Sequence, residues 1–173
     1  MRRSKRSKAR EALMQMLFQM ELQGDFSEGE KDAFIDRYFQ DESQIPYVTE
    51  AYTHVRDRLS EIDREIEISS DNWKTSRMAT ADLTILRLAA AEIFYMEDIP
   101  DSVSANEAVE LAKLYGGEES PKFINGILGR LIRGPAETAK TPETTKTPET
   151  AEIPEIPETT EAAQPDEYGP AAP

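Results

Sequence analysis

The sequence predicts an all-α protein: a compact bundle of six to seven helices followed by a disordered acidic tail. Three observations predict it. Apolar residues recur at helical spacing through most of residues 1–134. No window alternates apolar and polar residues between turn dipeptides, so no sheet is expected. From Pro135 onward the chain is mostly Pro, Thr, Glu and Ala with almost no large apolar side chain, a composition that cannot bury enough surface to fold.

Each element has its own signature. Leu13, Met16, Leu17 and Met20 line one face of a first helix from Ser7 to Leu22, which Gly24 ends. Ser27 with Glu30 is a capping box opening a short helix through Phe34, Ile35, Tyr38 and Phe39. Ile45, Val48, Tyr52, Val55, Leu59, Ile62 and Ile66 form one unbroken stripe, which predicts a single helix of about 22 residues packed inside the bundle. From Thr80, the run Leu83 to Tyr95 leaves little polar surface, so this helix belongs at the centre. Asp101 to Val103 read as a connector after Pro100. Ser104 and Glu107 form a second capping box, opening a helix that turns Ala108, Val109, Ala112 and Tyr115 inward. Gly116 and Gly117 supply its left-handed stop. Ser120 and Pro121 read as the N-cap and first position of a last helix carrying Phe123, Ile124, Ile127, Leu128, Leu131 and Ile132.

The chain therefore divides into a helical domain at 1–134, led by a basic arm at 1–8, and a tail at 135–173. Lys140 to Thr144 and Lys146 to Thr150 repeat the same five residues. Proline every few residues forbids helix there, and the acids repel one another.

The net charge of −14 hides a segregation. Arg2, Arg3, Lys5, Arg6, Lys8 and Arg10 give the first ten residues +6; the tail carries −7, which leaves −13 for the rest. An acidic body with a short basic arm does not coat nucleic acid, but it grips a few phosphates at one place.

Several classes are excluded or disfavoured. With no cysteine, disulfide scaffolds, thiolate metal sites and cysteine nucleophiles are ruled out. No apolar run has the length of a membrane span, nor does the N-terminus resemble a signal peptide, so a cytoplasmic chain is expected. His54, the single histidine, reads as a polar-face residue beside the third stripe. Glu61 with Glu65 and Asp98 with Asp101 are pairings that any acidic chain contains. No glycine-rich phosphate loop exists. No catalytic, metal or cofactor site is expected, and the protein reads as no enzyme.

Two stretches offer binding chemistry. The basic arm leads into a helix with Gln15, Phe18 and Gln19, and a ring beside cations and amides is a surface on which unstacked bases sit. Lys122, Phe123 and Asn125 place a cation, a ring and an amide near a helix N-terminus. Each has a plainer reading: a solvated arm, and a core Phe123 beside an exposed Lys122.

The run Val103 to Gly116, with Asn106, Glu107, Ala108, Val109, Glu110, Leu111, Ala112 and Lys113 in order, resembles the C-terminal signature of the NusB family. So does Glu119 to Leu128, with Ser120, Lys122, Phe123, Asn125 and Gly126. Arg6, Ala9, Arg10, Ala12 and Gln15 resemble the family's basic first helix; Asn72–Trp73 and Asp82 to Glu92 resemble its middle. The likeness covers about residues 6–132, with Ser104–Ala105 and Pro121 as modest departures, and says nothing of the tail. It implies an all-α fold of two helical subdomains and a role in transcription antitermination. The implied partners are the single-stranded boxA RNA of ribosomal RNA leaders, the ribosomal protein NusE and an antitermination complex on RNA polymerase. It marks Arg6, Lys8, Arg10, Gln15 and Phe18 as RNA contacts, and Lys122, Phe123 and Asn125 as a second strip. Asn106 and Glu107 are left to capping and packing. The alternative is a helical protein-interaction adaptor without direct RNA binding. A fused RNA methyltransferase is disfavoured, since no strand-rich cofactor domain follows.

Overall fold

Ser4 opens the first helix and Gly24 closes it. In the computed structural model, which describes residues 4–39 and 41–134, the Ser7 amide donates to Ser4 Oγ at 3.0 Å. Gly24 adopts φ 67°, the left-handed conformation glycine tolerates best, and its amide reaches the Glu21 and Met20 carbonyls. Helix α1 thus spans Lys5–Gln23. The helix starts two residues ahead of the expected Ser7, so Lys5, Arg6 and Lys8 of the basic arm lie on the first turns of α1, because Ser4 caps the helix earlier than the apolar pattern begins. The first three residues of the arm and the whole 135–173 tail lie outside the described residues.

Helix α2 (Glu28–Tyr38) begins as expected, with the Glu30 amide donating to Ser27 Oγ, and packs on α1. A 3-10 turn at Glu42–Gln44 leads into α3 (Ile45–Asp57), which is followed at once by α4 (Leu59–Ser69). Two helices therefore stand where the stripe predicted one. The break is at Arg58, whose backbone opens to φ −121° and ψ 21°. Val55, Ile62 and Ile66 stay buried on either side, so the apolar spacing runs through the break without registering it.

Helix α5 (Thr80–Tyr95) is the axis of the fold. Every residue from Asp82 to Glu92 is buried, as its near-continuous apolar surface predicts. Helices α1 and α3 pack on it, and so do α4, α6 (Asp101–Tyr115) and α7 (Ser120–Arg133). The resulting two groups, α1–α3 and α4 with α6 and α7, share one continuous core through α5. Among the described residues there are seven α-helices, two 3-10 turns and no strand, and no helix is long and apolar enough to cross a membrane.

The α5–α6 junction departs from expectation. Helix α6 begins at Asp101, because the extended Pro100 offers its carbonyl to the Val103 and Ser104 amides, and Asp101 favours the positive helix end. Ser104 is consequently buried inside the helix and caps nothing. Gly116 is extended at φ −92° and ψ 179°, so no left-handed stop forms. Glycine is required there for space: a Cβ would meet Ser120 Cβ at 2.4 Å. Ser120 is the first residue of α7, and its hydroxyl oxygen turns back to accept from the Gly117 amide at 2.9 Å.

Candidate nucleic-acid interface

The N-terminal turn of α1 carries cations and no acid, the reverse of what the helix dipole favours. Lys5 is exposed and pairs with Asp41 at 3.0 Å. Asp41 is held below the usual carboxylate range, first by the Ser43 hydroxyl and then by Lys5. The Arg6 guanidinium lies 4.3 Å from the centroid of the Tyr47 ring, a cation–π contact that leaves it partly exposed. Lys8 points into solvent.

Arg10 is elsewhere. It is only 3% exposed; its Nε donates to Glu92 Oε1 at 2.8 Å, and Nη1 pairs with Glu107 at 3.3 Å. Tyr47 donates its hydroxyl to the same Glu92 oxygen at 2.5 Å, and Ser7 donates to Glu107 Oε1 at 2.8 Å. Burial works against the Arg10 charge, but Tyr47, Glu92 and Glu107 outweigh it and hold the guanidinium protonated. Burial, followed by Glu92, pushes the Tyr47 phenol well above its ordinary value. Arg10 therefore departs from its expected place among phosphate-facing cations: it neutralises two acids where α1, α5 and α6 meet.

Further along α1, Gln15 is exposed and Phe18 is half-buried against the core. Gln15 Nε2 donates to the Tyr115 hydroxyl at 2.6 Å, which ties α1 to the end of α6.

On α7, Lys122 is exposed and Phe123 half-buried. Both line an open groove of about 430 Å³ whose opposite wall is the loop after α4. That wall presents Trp73, 53% exposed, and the floor includes Ile127 and Arg130. Asp71 and Asn72 take left-handed backbone conformations at φ 57° and 62°, which Asp and Asn accept more readily than other side chains. Arg130 fixes this turn from α7: its Nη1 donates to Asp71 Oδ2 at 2.6 Å and to the Ser69 carbonyl at 3.2 Å. Beyond Trp73, Glu67 accepts from Lys74 Nζ at 2.7 Å and from the Thr75 amide at 3.0 Å. These donors, Lys74 first, hold the Glu67 carboxyl below its ordinary value.

The fold thus joins Lys122 and Phe123 in one groove and leaves Asn125 exposed on α7 outside its lining. Helix α1 packs on α2, α3 and α5, whereas α7 packs on α4, α5 and α6. The two expected strips are therefore carried by different helix groups. Tyr115, which holds Gln15, lies just ahead of α7 in the chain. Trp73 and Arg130 were not singled out as site residues from the sequence. The available signal was a lone tryptophan following the turn-forming Ser69 to Asn72.

His54 stacks on Tyr95 at 5.3 Å and lies 4.0 Å from Glu50. Among the described residues no group of three or more acids and histidine is arranged to hold a metal.

These features define a class: an all-helical protein whose accessible chemistry is that of a binding surface, with rings and cations on an open groove. A profile of the NusB family matches residues 7–133. The transcription antitermination protein NusB of Alkaliphilus oremlandii is 44% identical over 127 residues, covering 73% of this chain and 92% of that one. Its counterpart in Pelotomaculum thermopropionicum is 45% identical over 133 residues, covering 76% and 92%. Among solved structures, T. maritima NusB superposes with a TM-score of 0.69 at 33% identity, covering 76% of this chain and 93% of that one. NusB from a complex of NusB and NusE with double-stranded RNA shares the fold at a TM-score of 0.66 and 23% identity, covering 74% and 96%. The chain belongs to the NusB family. It is accordingly a regulatory protein of the transcription antitermination class and no enzyme.

Proposed function

We propose that this protein binds boxA-type single-stranded RNA of ribosomal RNA leader transcripts and acts in the cytoplasm, with ribosomal protein NusE, in an antitermination complex on RNA polymerase. The observation that carries the RNA reading is the groove in which Trp73 faces α7 beside Phe123 and Lys122. Two aromatic faces offer stacking worth about 1–3 kcal/mol per base, and Lys122 supplies a phosphate partner at the rim. Lys5, Arg6 and Lys8 form a second anchoring point. Cations on the first turn of a helix oppose its dipole at about 0.3–1 kcal/mol each, and an anionic ligand would relieve that cost. Gln15, Phe18 and Asn125 complete the proposed contacts; Arg10 supports them from the interior. NusE enters by analogy with the structural neighbour that holds NusB, NusE and RNA together.

Trp73 is the single tryptophan, so its fluorescence reports on the groove alone. Titrating the full chain with a boxA-type oligonucleotide should quench that emission as the complex forms. Phe123→Ala should weaken binding by about 5- to 100-fold, the loss of one stacked base, with an unchanged far-ultraviolet spectrum. Saturable RNA binding without any change in Trp73 emission would place the RNA elsewhere.

A further inference from the structure

Gln15 belongs to a three-residue relay that fixes which end of its amide meets solvent. Tyr115 donates its hydroxyl proton to Glu11 Oε1 at 2.5 Å. An ionised carboxylate only accepts, and a phenol has one proton to give. In the contact between Gln15 Nε2 and the Tyr115 oxygen, at 2.6 Å, Gln15 is therefore the donor. A free glutamine amide rotates about its last torsion and presents oxygen and nitrogen almost interchangeably. Here the nitrogen end is held by Tyr115, and the carbonyl oxygen is left as the outward group of an exposed side chain. Glu11 and Gln15 are one helical turn apart on α1, so a single phenol from the last residue of α6 reaches both.

We propose that Tyr115, oriented by Glu11, is a positioning residue that turns Gln15 into a hydrogen-bond acceptor for the exocyclic amino group of a base, such as adenine or cytosine, in bound single-stranded RNA. The inference rests on the RNA reading above and extends it from affinity to base preference. Tyr115 acts through Gln15 and need not touch RNA. An amide with a free carbonyl and a second N–H matches the adjacent amino donor and ring-nitrogen acceptor of such bases.

The test uses the full chain and a set of boxA-type oligonucleotides. In these, each adenine is replaced in turn by purine riboside and each cytosine by the pyrimidin-2-one riboside, so that only the amino group is removed. The wild type should lose about threefold to tenfold in affinity at one position, the size of one hydrogen bond. Tyr115→Phe should bind the unmodified RNA more weakly by a similar factor and become indifferent to the amino group at that position, with no change in melting temperature. Glu11→Gln, which restores a donor beside the phenol, should blur the same preference while leaving the ring in place. A Tyr115→Phe protein that still discriminates as the wild type does would overturn the proposal. So would wild-type binding that ignores the amino group at every position, with RNA binding itself left intact. Absence of any RNA binding by the wild type would remove both readings together.

Discussion

At the scale of single residues, Arg10 separates what local sequence conveys from what it cannot. Six cations in ten positions look equivalent along the chain, yet Arg10 turns inward to Glu92, 82 positions away. Only the folded arrangement of α1 against α5 decides that, since no local pattern encodes a partner so distant. The consequence is a division of labour among neighbouring cations. Arg10→Ala leaves Glu92, itself 0% exposed, as an uncompensated buried charge and should cost about 3–5 kcal/mol of stability. Lys8→Ala removes an exposed cation and should leave stability within about 0.5 kcal/mol while weakening RNA binding. Urea unfolding and RNA titration of the two variants provide the check. Equal stability of the two proteins would mean that Arg10 carries no structural charge. Phe123 shows a different limit: its helical register marks a core residue and its chemistry marks a stacking ring, and the half-buried position on the groove serves both.

Secondary-structure elements were legible wherever burial and backbone chemistry agreed. The Ser27 cap, the Gly24 stop and the central α5 all follow from residues whose preference is local or whose pattern is continuous. The α3–α4 break was hidden because Arg58 is neither glycine nor proline and its neighbours keep the three-and-four spacing; its guanidinium instead lies 4.4 Å from the centroid of Tyr95, a contact across elements. The loop between α4 and α5 contains turn-forming residues, Ser69 to Asn72, but nothing in its sequence marks it as a wall of the site, since its groove exists only when α7 is laid against it. That loop should also respond to acid. Lys74 and the Thr75 amide bind the ionised form of Glu67, so its folded pKa lies below the ordinary 4.5. The stabilisation is therefore complete above that ordinary value and is lost as pH falls through the lowered folded value. Thermal unfolding between pH 7 and pH 3 should show a larger acid-induced loss in the wild type than in Glu67→Gln. The two curves should converge at the acid end. Parallel curves would show that Glu67 does not couple this loop to pH.

Over the whole molecule, charge segregation sets how RNA can be approached. The residues between the leading ten and the tail carry −13, so most of the surface repels a polyanion and binding must be confined to where cations are presented. That segregation was plain in the sequence, and so was the helical architecture; which cations remain free was not, because pairing is a property of the assembled bundle. Arg10 is withdrawn, and Lys74 and Arg130 are already engaged by Glu67 and Asp71. Lys5 (paired with Asp41 at the surface), Arg6, Lys8 and Lys122 are the cations presented at the proposed contacts, and the sequence adds Arg2 and Arg3. With contact confined to these six, the slope of log affinity against log salt for a single-stranded RNA should be no steeper than about −4, at roughly 0.7 per phosphate contact. Lys8→Ala and Lys122→Ala should each flatten it by about 0.7. Phe123→Ala should shift the whole line downward without changing its gradient, because stacking releases no counterions. Filter binding over a range of potassium chloride concentrations measures all four lines. A wild-type slope near zero would contradict phosphate anchoring at the cationic turn, whereas one well beyond about −4 would mean that further exposed cations, such as Arg77 and Arg133, also engage the RNA.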